Sequence, residues 1–173
     1  KDSNYESYMF TILEGSTRPH FFKGVCNVVS RLFTIINPTD AFFGEKDFQQ
    51  LRIIENMTKE LNFNINIVPC KIIREPHGLA MSSRNEYLNK QDRLDAKIIF
   101  ETLQKGIVLI DSGEDNISNI YDILIENILS EPKLSIDYIK IVNHKTLIEF
   151  SDTINDKFII CIAVYFGKTR LID

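Results

Sequence analysis

The sequence predicts an α/β protein in which a short parallel sheet precedes a small α+β domain with antiparallel strands. Three observations carry this expectation. Between residues 24 and 73 helical and extended patterns alternate with short connections, the arrangement that builds βαβ units. After residue 133 three β-rich runs follow, LSIDYIKIV, FIICIAVYFG and TRLID, which read as strands joined by turns. Hydrophobic residues make up 44% of the chain and charged residues 25%, a balance that supports a packed core and excludes a disordered chain.

Each element has its own signal. GVCNVVSRLFTIIN (24–37) places Val25, Val28, Val29, Leu32, Phe33, Ile35 and Ile36 at helical spacing, and Pro38 stops the helix. AFFG (41–44) is a short apolar strand. Residues 48–61 return to helical period, with Phe48, Leu51, Ile54, Met57 and Leu61 on one stripe. INIVPCKII (65–73) is a second β-rich run. So few strands make a small parallel sheet, and an upstream segment is expected to complete it. After EPHGLAMSSRNEYL (75–88) the pattern changes, which puts a domain boundary near 72–76, dividing 1–73 from 74–173. Residues 90–110 and 117–130 read as two helices, with Asn89 as the N-cap of the first and Gly113 in the break between them. Strands are expected over 134–142, 158–167 and 169–173. There is no internal repeat and no low-complexity segment.

Composition excludes several classes. A net charge of −4 and a pI near 5.4 argue against a general nucleic-acid surface, so an anionic ligand would have to be held by a local cluster. Cys26, Cys70 and Cys161 are odd in number and sit in apolar runs, as free buried thiols in a reducing compartment do. His20, His77 and His144 lack metal-ligand spacing. No run approaches the ~18 apolar residues of a membrane span. KDSNYESYMF lacks the apolar core of a signal peptide and an initiator methionine, so a cytoplasmic fragment is expected.

Three stretches carry candidate chemistry. In FFGEKDFQQL (42–51), Gly44 closes a strand, and Asp47 with Gln50 fits a capping box. Capping leaves Lys46 unexplained, because a cation at the positive end of a helix is unfavourable unless an anion lies between. A glycine-ended strand, a lysine and a helix N-terminus together suit a phosphate. In GLAMSSRNEYL (78–88), Ser83 and Glu86 also fit a capping box, yet Ser82, Ser83 and Arg84 form a second anion-binding set of hydroxyls, amides and a guanidinium. In LEGSTRPHFFKGV (13–25), Arg18, His20 and Lys23 sit among aromatics just before a helix. They are either solvated charges on a loop anchored by Phe21 and Phe22 or a substrate-orienting cluster.

These three stretches, in this order and at these separations, and the ending TRLID resemble the pantoate–β-alanine ligase (pantothenate synthetase) family from about Ile12 onward. The resemblance implies a partial Rossmann-like parallel sheet of the class I nucleotidylyltransferase type in 1–73 and a lid domain in 74–173, with MSSRN at the place of the KMSKS loop of the aminoacyl-tRNA synthetases. It implies ATP contacts at Gly44, Glu45, Lys46, Asp47, Ile73, Met81, Ser82, Ser83 and Arg84. Of these, Lys46, Ser82, Ser83 and Arg84 would act on the reacting phosphates. Gln50 would bind pantoate, with Arg18 and His20 as further substrate-binding candidates. The implied reaction joins pantoate to β-alanine through pantoyl adenylate, releasing AMP and pyrophosphate and yielding a coenzyme A precursor. Mg²⁺ would ride on the phosphates without a protein cage, and the full-length enzyme would be a homodimer. No nucleic acid or membrane is implied as a partner.

The family's HxGH signature and the NPxQF segment after it do not occur in this sequence. The chain therefore reads as the C-terminal part of such an enzyme, inactive alone. Two other readings stay open: a non-catalytic nucleotide-binding or assembly fragment, and another adenylate-forming nucleotidylyltransferase.

Overall fold

Two short strands organise the first part of the chain. β1 (Asp40–Gly44) and β2 (Asn66–Cys70) pair in parallel, from Asp40 opposite Asn66 to Gly44 opposite Cys70. The helix α3 (Phe48–Glu60) joins them, so the expected βαβ unit forms. The structure is a computed structural model that describes residues 5–173. Its chain divides into two compact units, Lys1–Lys71 and Ile72–Asp173.

In the first unit, a 3-10 turn (Tyr8–Phe10), the short helix α1 (Glu14–Thr17) and the helix α2 (Phe21–Ile36) precede β1. On α3 the middle of the expected stripe, Leu51, Ile54 and Met57, is buried together with Ile53, whereas Phe48 is half-buried and Leu61, just past the helix, is exposed. On α2 the buried stripe is Phe22, Cys26, Ser30 and Phe33, whereas Val28, Leu32, Ile35 and Ile36 lie exposed. This helix is apolar on more than one face, so spacing alone did not select the face that packs on α3. Phe33 meets Phe63 edge-on with ring centroids 5.5 Å apart. α3 ends in a Schellman motif, with Asn62 at φ 55° and the Phe63 N–H donating to the Thr58 carbonyl.

The strand expected over 65–73 stops at Cys70. Beyond it the Met81 N–H donates to the Ile73 carbonyl and Arg74 bridges to Ala80. The segment therefore folds into an antiparallel hairpin of the second unit instead of lengthening the parallel sheet.

The second unit holds a three-stranded antiparallel sheet in the order β3-β4-β5: Leu134–Asn143, Phe158–Phe166 and Thr169–Ile172. The single helix expected over 90–110 is two, α4 (Lys90–Asp95) and α5 (Ile98–Asp111). Between them the Lys97 N–H reaches back only three residues, to the Leu94 carbonyl, and this tightened turn redirects the chain while Ala96 is buried. Asn89 caps α4 through the Asp92 N–H, as expected. Gly113, at φ 100°, closes α5 in a Schellman motif, and α6 (Ile117–Leu129) follows.

The core joins Ile99 and Leu103 of α5, Ile120, Leu124 and Ile128 of α6, and Ile141, Ile162 and Val164 of the sheet. Gly106 makes this contact possible, because a Cβ there would stand 2.7 Å from Ile160 Cδ1 and 3.1 Å from Leu124 Cδ2. The cysteines are all free, but only Cys26 is buried, and burial pushes its thiol up to about 12. Cys70 and Cys161 are half-buried, which corrects the expectation of three buried thiols.

Candidate functional site

The carboxyl end of β1 is open, with Gly44 exposed. Gly44 has φ −72° and ψ 135°, a conformation open to any residue, and no atom lies within 4 Å of where its Cβ would be. Neither backbone strain nor packing demands glycine here. The chain then takes a 3-10 turn, Glu45–Asp47, into α3. Asp47 holds the cap position at φ −93° and ψ 56° but makes no side-chain cap hydrogen bond, and its side chain is 53% exposed. The capping box expected from Asp47 and Gln50 therefore does not form, because the 3-10 turn takes Asp47 out of capping geometry. The helix end keeps its positive character. Lys46 stands in that turn with a side chain only 15% exposed and the Asp47 carboxylate 3.9 Å from its ammonium.

The two neighbouring glutamines divide the work. Gln49 is buried: its Nε2 donates to the Met9 carbonyl at 2.6 Å and the Ile12 carbonyl at 2.8 Å, and its Oε1 accepts the Glu14 N–H at 3.0 Å. It ties the segment before α1 to the first turn of α3. The sequence offered only an amide pair, and no local pattern marked Gln49 as the structural one. Gln50 is half-buried.

The stretch 13–25 is not one loop. Residues 14–17 are helical, and α2 starts at Phe21, directly after His20 at φ 67°. Arg18 lies over the Phe21 ring, 3.7 Å from its centroid. Lys23 pairs with Glu6 at 2.8 Å on the surface, as a solvated charge would. His20 is exposed.

The second candidate set is mounted on the hairpin of the second unit. Ile73 and Met81 are hydrogen-bonded to each other at 2.9 Å and both side chains are exposed. A 3-10 turn, Ser83–Tyr87, follows, and its cap is Ser82, whose Oγ accepts the Arg84 N–H at 3.3 Å. The capping box expected from Ser83 and Glu86 thus gives way to a cap one residue earlier, since the turn already begins at Ser83 and leaves the cap position to Ser82. Ser83 is exposed. Arg52, Arg74, Arg93 and Arg170 are each paired with a carboxylate. Arg84, a half-buried residue, has no such partner among the described residues.

Two partly buried ion pairs hold this hairpin, and the sequence marked neither. Arg74 makes a bidentate pair with Asp173, donates to the Gly78 carbonyl at 3.1 Å and stacks on Phe100 at 4.1 Å. Glu75 accepts from Arg93 Nε at 2.9 and 2.8 Å and from Asn85 Nδ2 at 2.7 Å. The Arg93 guanidinium holds the Glu75 carboxyl below the ordinary carboxylate range, with Asn85 and His77 adding to the effect. A lowered folded-state value contributes stability above the unfolded value of about 4.3 and loses it as pH falls through the lowered one. In acid titration of stability, Glu75→Gln is therefore expected to flatten the loss below about pH 4.3. An unchanged slope would contradict this pairing.

Among the described residues no three His, Cys, Asp or Glu side chains are grouped to hold a metal ion, and no helix is long and apolar enough to cross a membrane.

Known proteins resemble this chain in sequence and fold. Residues 4–173 match the pantoate-beta-alanine ligase family. A pantothenate synthetase of Clostridium botulinum is 49% identical over 159 residues, which are 92% of this chain and 56% of that protein. One from Fervidobacterium nodosum is 45% identical over 98% of this chain and 62% of its own length. The crystal structure of the Thermus thermophilus pantothenate synthetase superposes with a TM-score of 0.91 at 34% identity, covering 98% of this chain and 60% of that one. A Francisella tularensis pantoate-beta-alanine ligase, complexed with beta-gamma ATP and beta-alanine, gives a TM-score of 0.69 at 30% identity over 98% of this chain and 56% of that one. The chain thus spans a little over half the length of the curated relatives it matches. The α/β fold with its parallel and antiparallel sheets is the fold of these synthetases, and the chain belongs to the pantoate-beta-alanine ligase family.

Proposed function

We propose that this chain supplies ATP- and pantoate-binding residues to an enzyme that condenses pantoate with β-alanine. The observation that carries the reading is Arg84, a half-buried residue whose side chain has no carboxylate partner among the described residues, in one turn with Ser82 and Ser83. In the other unit Lys46 supports it, a largely covered cation at a helix end that repels it. Phosphate groups are the ligand chemistry that would relieve each of them.

In this account a pantoate carboxylate oxygen attacks the α-phosphorus of ATP, and the bond to the bridging oxygen breaks. Pyrophosphate leaves and pantoyl adenylate forms. The β-alanine amine then attacks the acyl carbon, and AMP departs. Lys46, Ser82, Ser83 and Arg84 are assigned to the charge on the phosphates, an electrostatic contribution. Gly44, Glu45, Asp47, Ile73 and Met81 are assigned to ATP contact. Mg²⁺ enters with ATP, its charge met mainly by phosphate oxygens. Support for ATP and β-alanine as ligands comes from the Francisella tularensis complex.

Gln50 is assigned to pantoate, with Arg18 and His20 as further candidates. Because no capping box forms, Gln50 has no capping role to keep. Gln50→Glu would set a carboxylate beside the substrate's own and weaken pantoate binding while sparing ATP. Steady-state kinetics with each substrate varied in turn checks this, and an unchanged KM for pantoate removes Gln50 from the site.

A non-catalytic nucleotide-binding role has one observation in its favour, the absence of an H-x-G-H pair from this sequence. Incubating the chain with ATP, pantoate, β-alanine and Mg²⁺ and measuring AMP separates the two. The expected result is no AMP from the chain alone and pantoate-dependent AMP from a protein of the relatives' length that carries it. Exchange of pyrophosphate into ATP driven equally by other acids would point instead to a different adenylate-forming enzyme.

A further inference from the structure

We infer that Glu75 and Asn85 are positioning residues for the Ser82–Arg84 turn, and that Arg93 of α4 sets their hold. The inference rests on the proposal that this turn binds ATP. Asn85 is only 1% exposed, a burial seldom found for an amide without a structural task. Its Nδ2 donates to the Ala80 carbonyl at 3.0 Å, just before the turn, and to Glu75 Oε1 at 2.7 Å, on the opposite arm of the hairpin. Its own N–H donates to the Ser82 carbonyl at 3.0 Å. Rotating the amide would turn Oδ1 toward two acceptors, so its orientation is fixed, even though Oδ1 is buried without a partner. One side chain thus clamps both ends of the segment that carries Ser82, Ser83 and Arg84.

Glu75 is the anchor of that clamp, and it is a charged one. Its side chain is nearly buried, and Arg93 both neutralises it and fixes its plane by donating from Nε to both oxygens. His77 Nε2 also approaches the carboxylate, at 3.8 Å, while bonded to the Arg93 carbonyl at 2.8 Å. Arg93 lies on α4, whose start is fixed by the Asn89 cap and by the Lys133–Asp92 pair at 2.5 Å. The order of the turn therefore passes from α4 through Arg93 and Glu75 to Asn85. A turn backbone held in one shape gives up little freedom when its amides and hydroxyls meet a phosphate, which is how preorganisation raises affinity.

Arg93 is the place to test this, because it is partly exposed and its replacement need not disturb the core. Three forms of the chain serve: wild type, Arg93→Gln and Arg93→Lys. Amide hydrogen exchange is read at Asn85 and Met81, and at Ile162 in the sheet as a reference, alongside the Kd for ATP. In Arg93→Gln the exchange at Asn85 and Met81 is expected to rise about tenfold while Ile162 is unchanged, and ATP binding is expected to weaken by a similar factor. Arg93→Lys, which keeps the charge without the bidentate fork, should recover part of both. Exchange that rises equally at Ile162 makes the role one of general stability and overturns the inference, as does unchanged exchange at the turn. A looser turn with unaltered ATP binding overturns it too. If the wild-type chain binds no ATP while exchange responds as expected, the reading of the turn as an ATP site is what fails, and its positioning for ATP falls with it.

Discussion

Lys46→Ala is expected to slow pantoate-dependent pyrophosphate release by about 10²–10³-fold, the cost of removing one preorganised electrostatic group from a reacting centre. The assay belongs in a protein of the relatives' length that carries this chain. The same substitution is expected to leave the first unit as stable as before. Among the described residues Lys46 reaches no carboxylate closer than 3.9 Å, and that carboxylate is half exposed, a contact worth less than about 1 kcal/mol. Taking a cation away from the positive end of α3 even removes an unfavourable term of a few tenths of a kcal/mol. A large loss of activity with no loss of thermal stability marks a group kept for a ligand. Near-normal pyrophosphate release would remove Lys46 from the site, and a variant that melts much lower would make it structural.

Arg74→Leu is expected to destabilise the second unit by about 3–5 kcal/mol, the range for breaking a buried ion pair from one side. The Asp173 side chain is 2% exposed and would be left charged without its partner. The stacking on Phe100 and the bond to the Gly78 carbonyl go at the same time. Replacing Asp173 by asparagine in the same chain should return much of the loss, because the stranded charge is the costly part. Urea unfolding of the two single variants and the double variant measures this coupling. Additive losses, with no recovery in the double variant, would contradict the pairing.

Much of this fold was written in local pattern. α3 follows from periodicity, β1 and the three antiparallel strands follow from apolar and β-rich runs, and Asn89 and Gly113 act at the helix ends where their chemistry puts them. What the sequence hid was decided by tertiary context. α2 carries apolar residues on several faces, and tertiary packing, including Phe22 on Phe10 and Phe33 on Phe63, selects the stripe from Phe22 to Phe33. Both capping boxes were matched in sequence and displaced in space, because 3-10 turns occupy the helix starts at Glu45 and Ser83. Apart from Ile73, the candidate residues themselves lay in three short motifs and could be named from them. Their supports could not. Gln49 bonds residues 35 or more positions away, and Arg74 meets Asp173 99 positions along the chain. Such partners share no spacing that a linear reading can use.

The central claim is that Lys46 and the Ser82–Arg84 turn are kept for the phosphates of ATP. It is tested most directly by titrating ATP into the 173-residue chain and following the phosphorus resonances of the nucleotide, with Lys46→Ala and Arg84→Ala as the comparison. The expected result is weak, saturable perturbation of the phosphate signals by the wild-type chain, lost in Arg84→Ala and reduced in Lys46→Ala, with circular dichroism unchanged in both. Phosphate signals that do not respond, or that respond equally to all three proteins, would contradict it.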